Sequence, residues 1–364
     1  MSVYSGLKFL HHPDRLKVLR EGKQIAPVHA HLIISDLCSQ SCSFCSYRWE
    51  GNVSNQLFHI LDPATGKKNH NPARFIPFEK CCEVIDDFVE MDVKAVQFTG
   101  GGEPTLHPRH LAIFRYALDR GRQIALVTHG VLLKPETIET LTRATWVRVS
   151  LDSATPESYS AIRRVPPSQF HRAIEHIAAL CEARDRTCSN VVIGVGFVVT
   201  ADNWREVVQA AGIAKRLGAN NFRISAVFQP GGDAYFSDFH AAAARLCREA
   251  ESLSDQGFNV VNMFGSRLDD LRLGNPDYKT CSFMQFTTYI GGTLDVFRCC
   301  TTAYNERGRI GSIKNQRFKD LWQSQAKHDD FDRFDARGCD RCMFNETNRA
   351  MNYAISDPAH VNFV

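Results

Sequence analysis

Between residues 28 and 228, short runs rich in β-branched residues alternate with longer stretches whose apolar positions recur every three or four residues. A continuous apolar run such as Val191–Val199 reads as a buried strand, whereas Ser168–Ala183 repeats at helical spacing. The pattern predicts strands over Val28–Ile34, Lys94–Phe98, Gln123–Val127, Trp146–Ser150, Val191–Val199 and Phe222–Val227. Between them it predicts helices over Glu79–Glu90, Arg109–Asp119, Pro135–Thr142, Ser168–Ala183 and Trp204–Leu217. Strands that alternate with helices imply parallel β/α units joined by right-handed crossovers. Six units are too few to close an eight-stranded barrel, so the expected fold is α/β, a partial (β/α)6 TIM barrel. In that geometry chemistry gathers at the C-terminal ends of the strands.

The rhythm sets the expected organisation. Residues 1–27 form an N-terminal extension, residues 28–228 the partial barrel, and residues 229–280 a linker carrying a helix (about His240–Leu253) and a short strand. Residues 281–364 hold a hairpin, Phe286–Phe297, across Gly291-Gly292, a short helix at Phe318–Trp322 and a C-terminal tail, hence a small hairpin-plus-helix module. The polar stretch 51–75 is too long for an ordinary connection, and a substrate-facing role is one reading of it. Composition changes little: 44% hydrophobic and 23% charged residues suit a globular enzyme. The net charge of +3 does not indicate a nucleic-acid partner or an acidic membrane surface. The first residues scatter charges through any apolar run, so no signal peptide is expected and a cytoplasmic location follows.

Cysteine changes the picture more. The chain has 13, many for a compartment where disulfides rarely persist. Cys81, Cys82, Cys181, Cys188 and Cys247 fall in or near helices and read as ordinary thiols. The other eight are spaced like ligands. Cys38, Cys42 and Cys45 stand in one tight loop after the first strand, so three thiolates can hold three irons of a 4Fe–4S cluster and leave the fourth open. Zinc, the alternative, favours ligands in Cys-x2-Cys pairs and gives no reason for a compact three. Cys281, Cys299, Cys339 and Cys342 supply four thiolates, enough for a complete site of either iron–sulfur or zinc, with Cys300 as the rival to Cys299.

Further groups surround the first loop. The second strand runs into Gly100-Gly101-Gly102-Glu103-Pro104, where glycines admit a close backbone approach and Glu103 can accept from an ammonium. Ser150 and Asp152 end the fourth strand and suit ribose hydroxyls, while Arg163, or its neighbour Arg164, suits a carboxylate. Gly194 and Gly196 interrupt the fifth strand, which marks a bulge or a close approach. His129, in the turn after the third strand, can contact a ligand or serve structure.

The Cys-x3-Cys-x2-Cys loop, with Phe44 before its last cysteine, resembles the signature of the radical S-adenosylmethionine (SAM) superfamily. Gly101-Gly102-Glu103-Pro104 resembles that family's GGEP motif, and Ser150-Leu151-Asp152 with Tyr159-Ser160-Ala161-Ile162-Arg163 resembles its later SAM-binding stretches. The resemblance implies that Cys38, Cys42 and Cys45 hold a cluster whose open iron chelates SAM. It also implies that Gly101, Gly102, Glu103, Pro104, Ser150, Asp152, Arg163, Gly194 and Gly196 line the SAM pocket. Ser153 stands where many members have glycine. The C-terminal cysteines resemble the twitch form of the SPASM module, with the four-cysteine pattern of 2-deoxy-scyllo-inosamine dehydrogenase-type enzymes, which implies one auxiliary 4Fe–4S cluster.

The family implies reductive cleavage of SAM to a 5′-deoxyadenosyl radical that abstracts a substrate hydrogen. With an auxiliary cluster to take an electron, a two-electron oxidation is expected. A radical epimerase or isomerase is the alternative, and a non-catalytic iron–sulfur or zinc protein the second alternative. Cys247, Cys300 and His107 are the candidates for hydrogen donor or base, and Arg148 can point into the same cavity. The expected partners are a polar small-molecule, peptide or nucleoside substrate and a one-electron donor such as flavodoxin or ferredoxin.

Overall fold

The computed structural model describes residues 4–47, 74–229, 231–360 and 362. The polar stretch expected at 51–75 lies outside the described residues up to residue 73. Ten strands form one sheet: β1 (His29–Leu32), β2 (Ala95–Phe98), β3 (Gln123–Thr128), β4 (Trp146–Ser150), β5 (Val192–Val199), β6 (Asn221–Ala226), β7 (Asn259–Met263), β8 (Thr287–Ile290), β9 (Asp295–Phe297) and β10 (Arg309–Ser312). Their order is β10-β9-β8-β1-β2-β3-β4-β5-β6-β7, so the sheet is open, with β7 and β10 at its edges.

The six expected units are present, and a seventh follows them. The short strand expected in the 229–280 linker is β7, which continues the parallel run by pairing with β6 in the register Asn221↔Asn259. Its sequence, NVVNM, is too short and too polar to announce a barrel strand. The C-terminal hairpin joins the same sheet. β8 runs parallel to β1 along its other edge, pairing His31 with Tyr289, and β9 returns antiparallel. β1 therefore carries a barrel strand on one side and the hairpin on the other.

Period-two alternation divides the sheet into two faces. Leu32, Phe98, Leu126, Val149, Val195 and Ile224 turn toward the surrounding helices and are fully buried in the main core. Each helix contributes a stripe to that core: Phe78–Glu90 buries Cys81, Val84, Ile85 and Phe88 at spacings of three and four. The opposite face carries His31, Gln97, Arg148, Ser150, Gly194, Gly196 and Arg223, set side by side by the register. This face is polar.

The last third of the chain wraps back over the first. Phe318 packs edge-on against Phe88, at 5.3 Å between ring centroids, and stacks near Trp322 at 5.5 Å. The Trp322 indole N–H donates to the Ile25 carbonyl at 2.8 Å, and Arg317 pairs at 2.5 Å with the buried Asp87 on the first barrel helix. Among the described residues no helix is long and apolar enough to cross a membrane.

Removing the Phe318 ring empties a fully buried site between two aromatic neighbours, which costs about 3–5 kcal/mol. Phe318→Ala is expected to lower the urea midpoint with little change in slope, whereas Lys314→Ala, at an exposed site, leaves it in place. Equal midpoints for the two variants would contradict this packing.

Candidate cluster and cofactor site

After β1 the chain loses regular structure and runs through the three cysteines as a loop. Its backbone is fastened by neighbours. The Ser35 and Leu37 carbonyls accept from the N–H groups of Gly102 (3.1 Å) and Glu103 (2.7 Å), in the turn after β2. Ser41 and Ser43 donate to the carbonyls of Arg163 (3.0 Å) and Ile162 (2.9 Å), which end the helix Pro156–Arg163. Cys38, Cys42 and Cys45 are half-buried thiols in no disulfide, and Phe44 packs against the main core.

The glycines of the turn owe their identity to this contact. A Cβ on Gly102 would lie 2.1 Å from the Leu37 carbonyl oxygen and 2.5 Å from the Asp36 carbonyl carbon. One on Gly100 would meet the Gly102 oxygen at 2.1 Å. Gly101 sits between them, and Pro104 opens a short 3₁₀ turn capped by Glu103. The Glu103 carboxylate is buried. Its Oε1 accepts from Thr105 N–H (3.0 Å), Thr105 Oγ1 (2.6 Å) and Thr128 Oγ1 (2.7 Å), and its Oε2 accepts from His129 N–H (2.9 Å). Burial works against the carboxylate, but His129 and these donors outweigh it and hold its pKa below the ordinary glutamate value.

His129 Nδ1 accepts from Val131 N–H at 3.0 Å, which places the ring proton on Nε2. Nε2 stands 3.1 Å from Ser39 Oγ and 3.6 Å from Glu103 Oε2, so the ring bridges the cysteine loop to the glutamate. Burial holds its pKa below the usual histidine value.

Arg163 is buried and bonded within the protein. Its guanidinium donates to Gln40 Oε1 (2.7 Å) and the Ser150 carbonyl (2.7 Å), pairs with Asp152, and reaches Cys42 Sγ at 3.6 Å. Burial opposes its charge, yet Cys42, Asp152 and Tyr159 raise its pKa above the ordinary arginine value. Gln40 also donates to Tyr159 Oη at 2.8 Å, so a polar residue inside the loop locks loop, helix and arginine together. Arg164, by contrast, is exposed at the helix C-cap in the left-handed region, at φ 54°. Asp152 is also left-handed (φ 57°), and its Oδ1 accepts from Val198 N–H at 2.6 Å.

Gly194 and Gly196 lie on the inner face of β5. A Cβ on Gly194 would meet Asn221 Oδ1 at 2.6 Å, and one on Gly196 would touch the Arg148 stem at 3.5 Å. Among the candidate donors and bases, His107 uses both ring nitrogens structurally: Nε2 stands 2.9 Å from the Ile76 carbonyl and Nδ1 accepts from Arg109 N–H at 3.0 Å. Cys247 is buried on the core-facing side of the helix His240–Glu251, where burial pushes its thiol up to about 12. An open cleft of about 640 Å3, lined by Arg184, Asn190, Lys215 and Asn220, lies where β5 and β6 begin and holds none of these residues.

The later cysteines converge. Burial pushes the Cys281 thiol up, and Cys299, Cys342 and Cys339 add to the shift. Cys342 and Cys339 are pushed up to about 12 and about 11 by burial and by neighbours that include Cys299. The Phe344 N–H donates to Cys342 Sγ at 3.3 Å, and Thr302 Oγ1 stands 3.3 Å from Cys299 Sγ. Cys300 touches Met343 Sδ at 3.9 Å and packs with Tyr47 and Tyr289, while also sensing Cys299 and Arg267. Among the described residues no three donors are already locked around one point, so the thiols approach without forming a closed cage.

One network, absent from the motifs, ties the two cysteine groups. Asp36 is fully enclosed beside Arg74 (3.4 Å), accepts from Gly292 N–H at 3.2 Å and bonds Tyr304 Oη. Burial pushes its carboxyl up to about 6, against the pull of Arg74, Tyr304 and Gly292.

Two family models match the chain: the radical SAM superfamily over residues 32–211 and the iron–sulfur cluster-binding SPASM domain over residues 281–343. The chain is a radical SAM protein with a SPASM domain. It is 30% identical over 155 residues to the AdoMet-dependent heme synthase of Methanosarcina barkeri, covering 42% of each chain. It is 29% identical over 186 residues to the mycofactocin maturase MftC of Mycobacterium tuberculosis, covering 50% of this chain and 45% of that one. The matched stretch thus spans less than half of either relative. The fold is similar to that of Streptococcus suis SuiB bound to S-adenosylmethionine, with a TM-score of 0.61 at 14% identity over 90% of this chain and 74% of that chain. SuiB bound to its precursor peptide SuiA matches with the same TM-score of 0.61, at 12% identity over 94% and 76%. The radical SAM protein accordingly takes SAM and a 4Fe–4S cluster, with an auxiliary cluster expected from its SPASM domain.

A side chain at residue 102 collides with backbone that cannot swing aside. Gly102→Ala is expected to lose the first cluster and keep the second, so bound iron falls by about half on elemental analysis. Gly265→Ala, with nothing within 4 Å of the added methyl, serves as the control. A full iron complement in Gly102→Ala would refute the contact.

Proposed function

We propose that this radical SAM protein carries out a two-electron oxidation of its substrate, and that the substrate is a peptide. The observation that carries the oxidation is the convergence of Cys281, Cys299, Cys339 and Cys342, which together can ligate a complete auxiliary cluster. What supports a peptide is that the same fold accommodates one in SuiB. The donor chemistry of both groups fits iron: three thiols in one loop beside a cationic guanidinium, and four half-buried thiols in the C-terminal module. Bound SAM and a cluster on Cys38, Cys42 and Cys45 would supply a 5′-deoxyadenosyl radical to take one substrate hydrogen atom, and a cluster on the four later cysteines would take up the second electron as the substrate releases a proton to solvent.

The chain's own residues do the positioning. Cys38, Cys42 and Cys45 hold the first cluster, and Arg163 steadies their negative charge from 3.6 Å beyond Cys42. Glu103, with Oε2 toward the loop and four donors keeping it ionised, offers its charge to the SAM ammonium. Ser150 and Asp152 stand at the end of β4, beside the inner-face glycines of β5, where the ribose and adenine of SAM are expected. A flavodoxin- or ferredoxin-like protein supplies the first electron.

Cys300 favours a second reading, epimerisation. It sits on the chain's inner side against Tyr47 and Tyr289, apart from the core-bound Cys247, and can return a hydrogen atom to a substrate radical.

Anaerobically reconstituted protein is expected to bind about eight irons per chain and to form 5′-deoxyadenosine from SAM and dithionite. Cys45→Ala is expected to form none. If wild type and Cys45→Ala behave alike, the catalytic reading is lost. Cys339→Ser is expected to keep 5′-deoxyadenosine formation yet lose the product two hydrogens lighter. A product of unchanged mass that carries deuterium from D2O, abolished by Cys300→Ala, would decide for epimerisation.

A further inference from the structure

The inner face of the sheet holds two cations, Arg148 and Arg223, that meet no carboxylate among the described residues. Gly196 on β5 pairs with Ser150 on β4 and with Arg223 on β6. Arg148, two residues before Ser150, lies across this glycine, with its Cδ 3.5 Å and its Nε 3.8 Å from where a Cβ would stand. Arg223 flanks the same glycine from the other side. Glycine here is what lets two guanidinium groups share one stretch of lumen.

Among the described residues, neither arginine meets a carboxylate. Arg148 lies beside the Trp146 ring, 5.5 Å from its guanidinium carbon, and runs alongside Gly196. Arg223 donates to Met263 Sδ at 3.3 Å, a weak acceptor, and lies 5.5 Å over the Tyr4 ring. Asp152 is near enough to sense Arg148 but is bonded to Arg163 and to Val198 N–H. Burial, and then repulsion from Arg148, pushes the Arg223 pKa down to about 9. His31, on the same face, stacks on Tyr289 at 4.3 Å and buries an Nδ1 with no hydrogen-bond partner among the described residues.

Two half-buried like charges held close together, with no counter-ion among the described residues, destabilise a fold. Such a pair persists where a ligand supplies the missing charge, and stability is lost to function. Arg223 also senses Cys300, so it lies on the side of the sheet that the later cysteines approach. Two guanidinium forks on β4 and β6, on either side of the Gly196 position of β5, match one carboxylate, each able to donate to its oxygens.

We propose that Arg148 and Arg223 form a receptor for a carboxylate of the substrate, so that the peptide presents an acidic side chain or its C-terminus inside the sheet. This rests on the peptide reading above and names the group by which that peptide is held.

The test uses cluster-loaded protein saturated with SAM and titrated calorimetrically, at constant ionic strength, with N-acetylglutamate α-methylamide, which has one carboxylate, or N-acetylglutamine α-methylamide, which has none. Saturable binding of the glutamate alone is expected, weakened about tenfold or more in Arg148→Gln and in Arg223→Gln. SAM affinity should be unchanged in both variants. Loss of SAM affinity would assign the pair to the cofactor's own carboxylate and overturn the proposal. Equal binding of the glutamine probe, or no binding of either probe, would overturn it too. Melting of the cluster-loaded protein without SAM is a second readout: Arg223→Met should melt no lower than wild type, because repulsion is relieved, whereas a lower Tm would show that the arginine serves the fold. Neither measurement needs turnover, so 5′-deoxyadenosine formation independently reports on the radical reading.

Discussion

The cysteine loop must bury polar backbone without a helix or strand of its own to satisfy it, and the rest of the site follows from how that is solved. A buried peptide group left unpaired costs about as much as a lost hydrogen bond. From Ser35 to Ser43 the partners come from outside: the glycine turn after β2, the carbonyls ending the helix Pro156–Arg163, and the segment at Arg74. Each partner must approach closely. The glycines answer that need at residue 102, and the helix end answers it with carbonyls that have no acceptor role left inside the helix. The loop is thereby held in register with the strands on which the site is built.

The same loop joins the two cysteine groups mechanically. β1 is paired on both sides, so the backbone entering the first group is hydrogen-bonded to the hairpin leading to the second. Asp36, two residues before Cys38, extends the connection through Tyr304 and Gly292. A fully buried carboxylate with several donors is a rigid joint, because any displacement leaves charge unsatisfied. The separation of the two groups is a property of one continuous sheet rather than of two domains resting together.

How much of this could be read from the sequence depended on how local the signal was. The expected strands and helices in residues 28–228 are legible to within a residue or two at most ends, since each strand's apolar run is bounded by turns, but the short helix Pro156–Arg163 that carries Arg163 is not among those the pattern predicts. β7 was read as an isolated strand because five residues, three of them polar or sulfur-bearing, do not reveal their partner. The parallel β8–β1 pairing joins segments more than 250 residues apart and leaves no local trace. Cysteine spacing was legible because ligands must cluster. The bonds of Glu103 and Arg163 to their own protein, the bridging role of His129 and the network around Asp36 were not, since each depends on where distant backbone arrives. Cys299 and Cys300 stand just beyond the end of β9: Cys299 acts on Cys281, Cys339 and Cys342, whereas Cys300 packs against the Tyr289 cluster while also feeling Cys299 and Cys342.

The period of two also explains how this sheet combines stability with a polar interior. Helix-facing positions such as Val149, Val195 and Ile224 are wholly apolar and buried, and they supply the hydrophobic driving force. Residues one step along the same strands, Arg148, Gly196 and Arg223, stand outside that core, and the two arginines meet no carboxylate among the described residues. Were the two sets mixed, each buried guanidinium would sit in the core and demand a counter-ion from the fold itself. Because every strand keeps them on opposite faces, the outer layer holds the sheet together while the inner one is free to be complementary to something that arrives later.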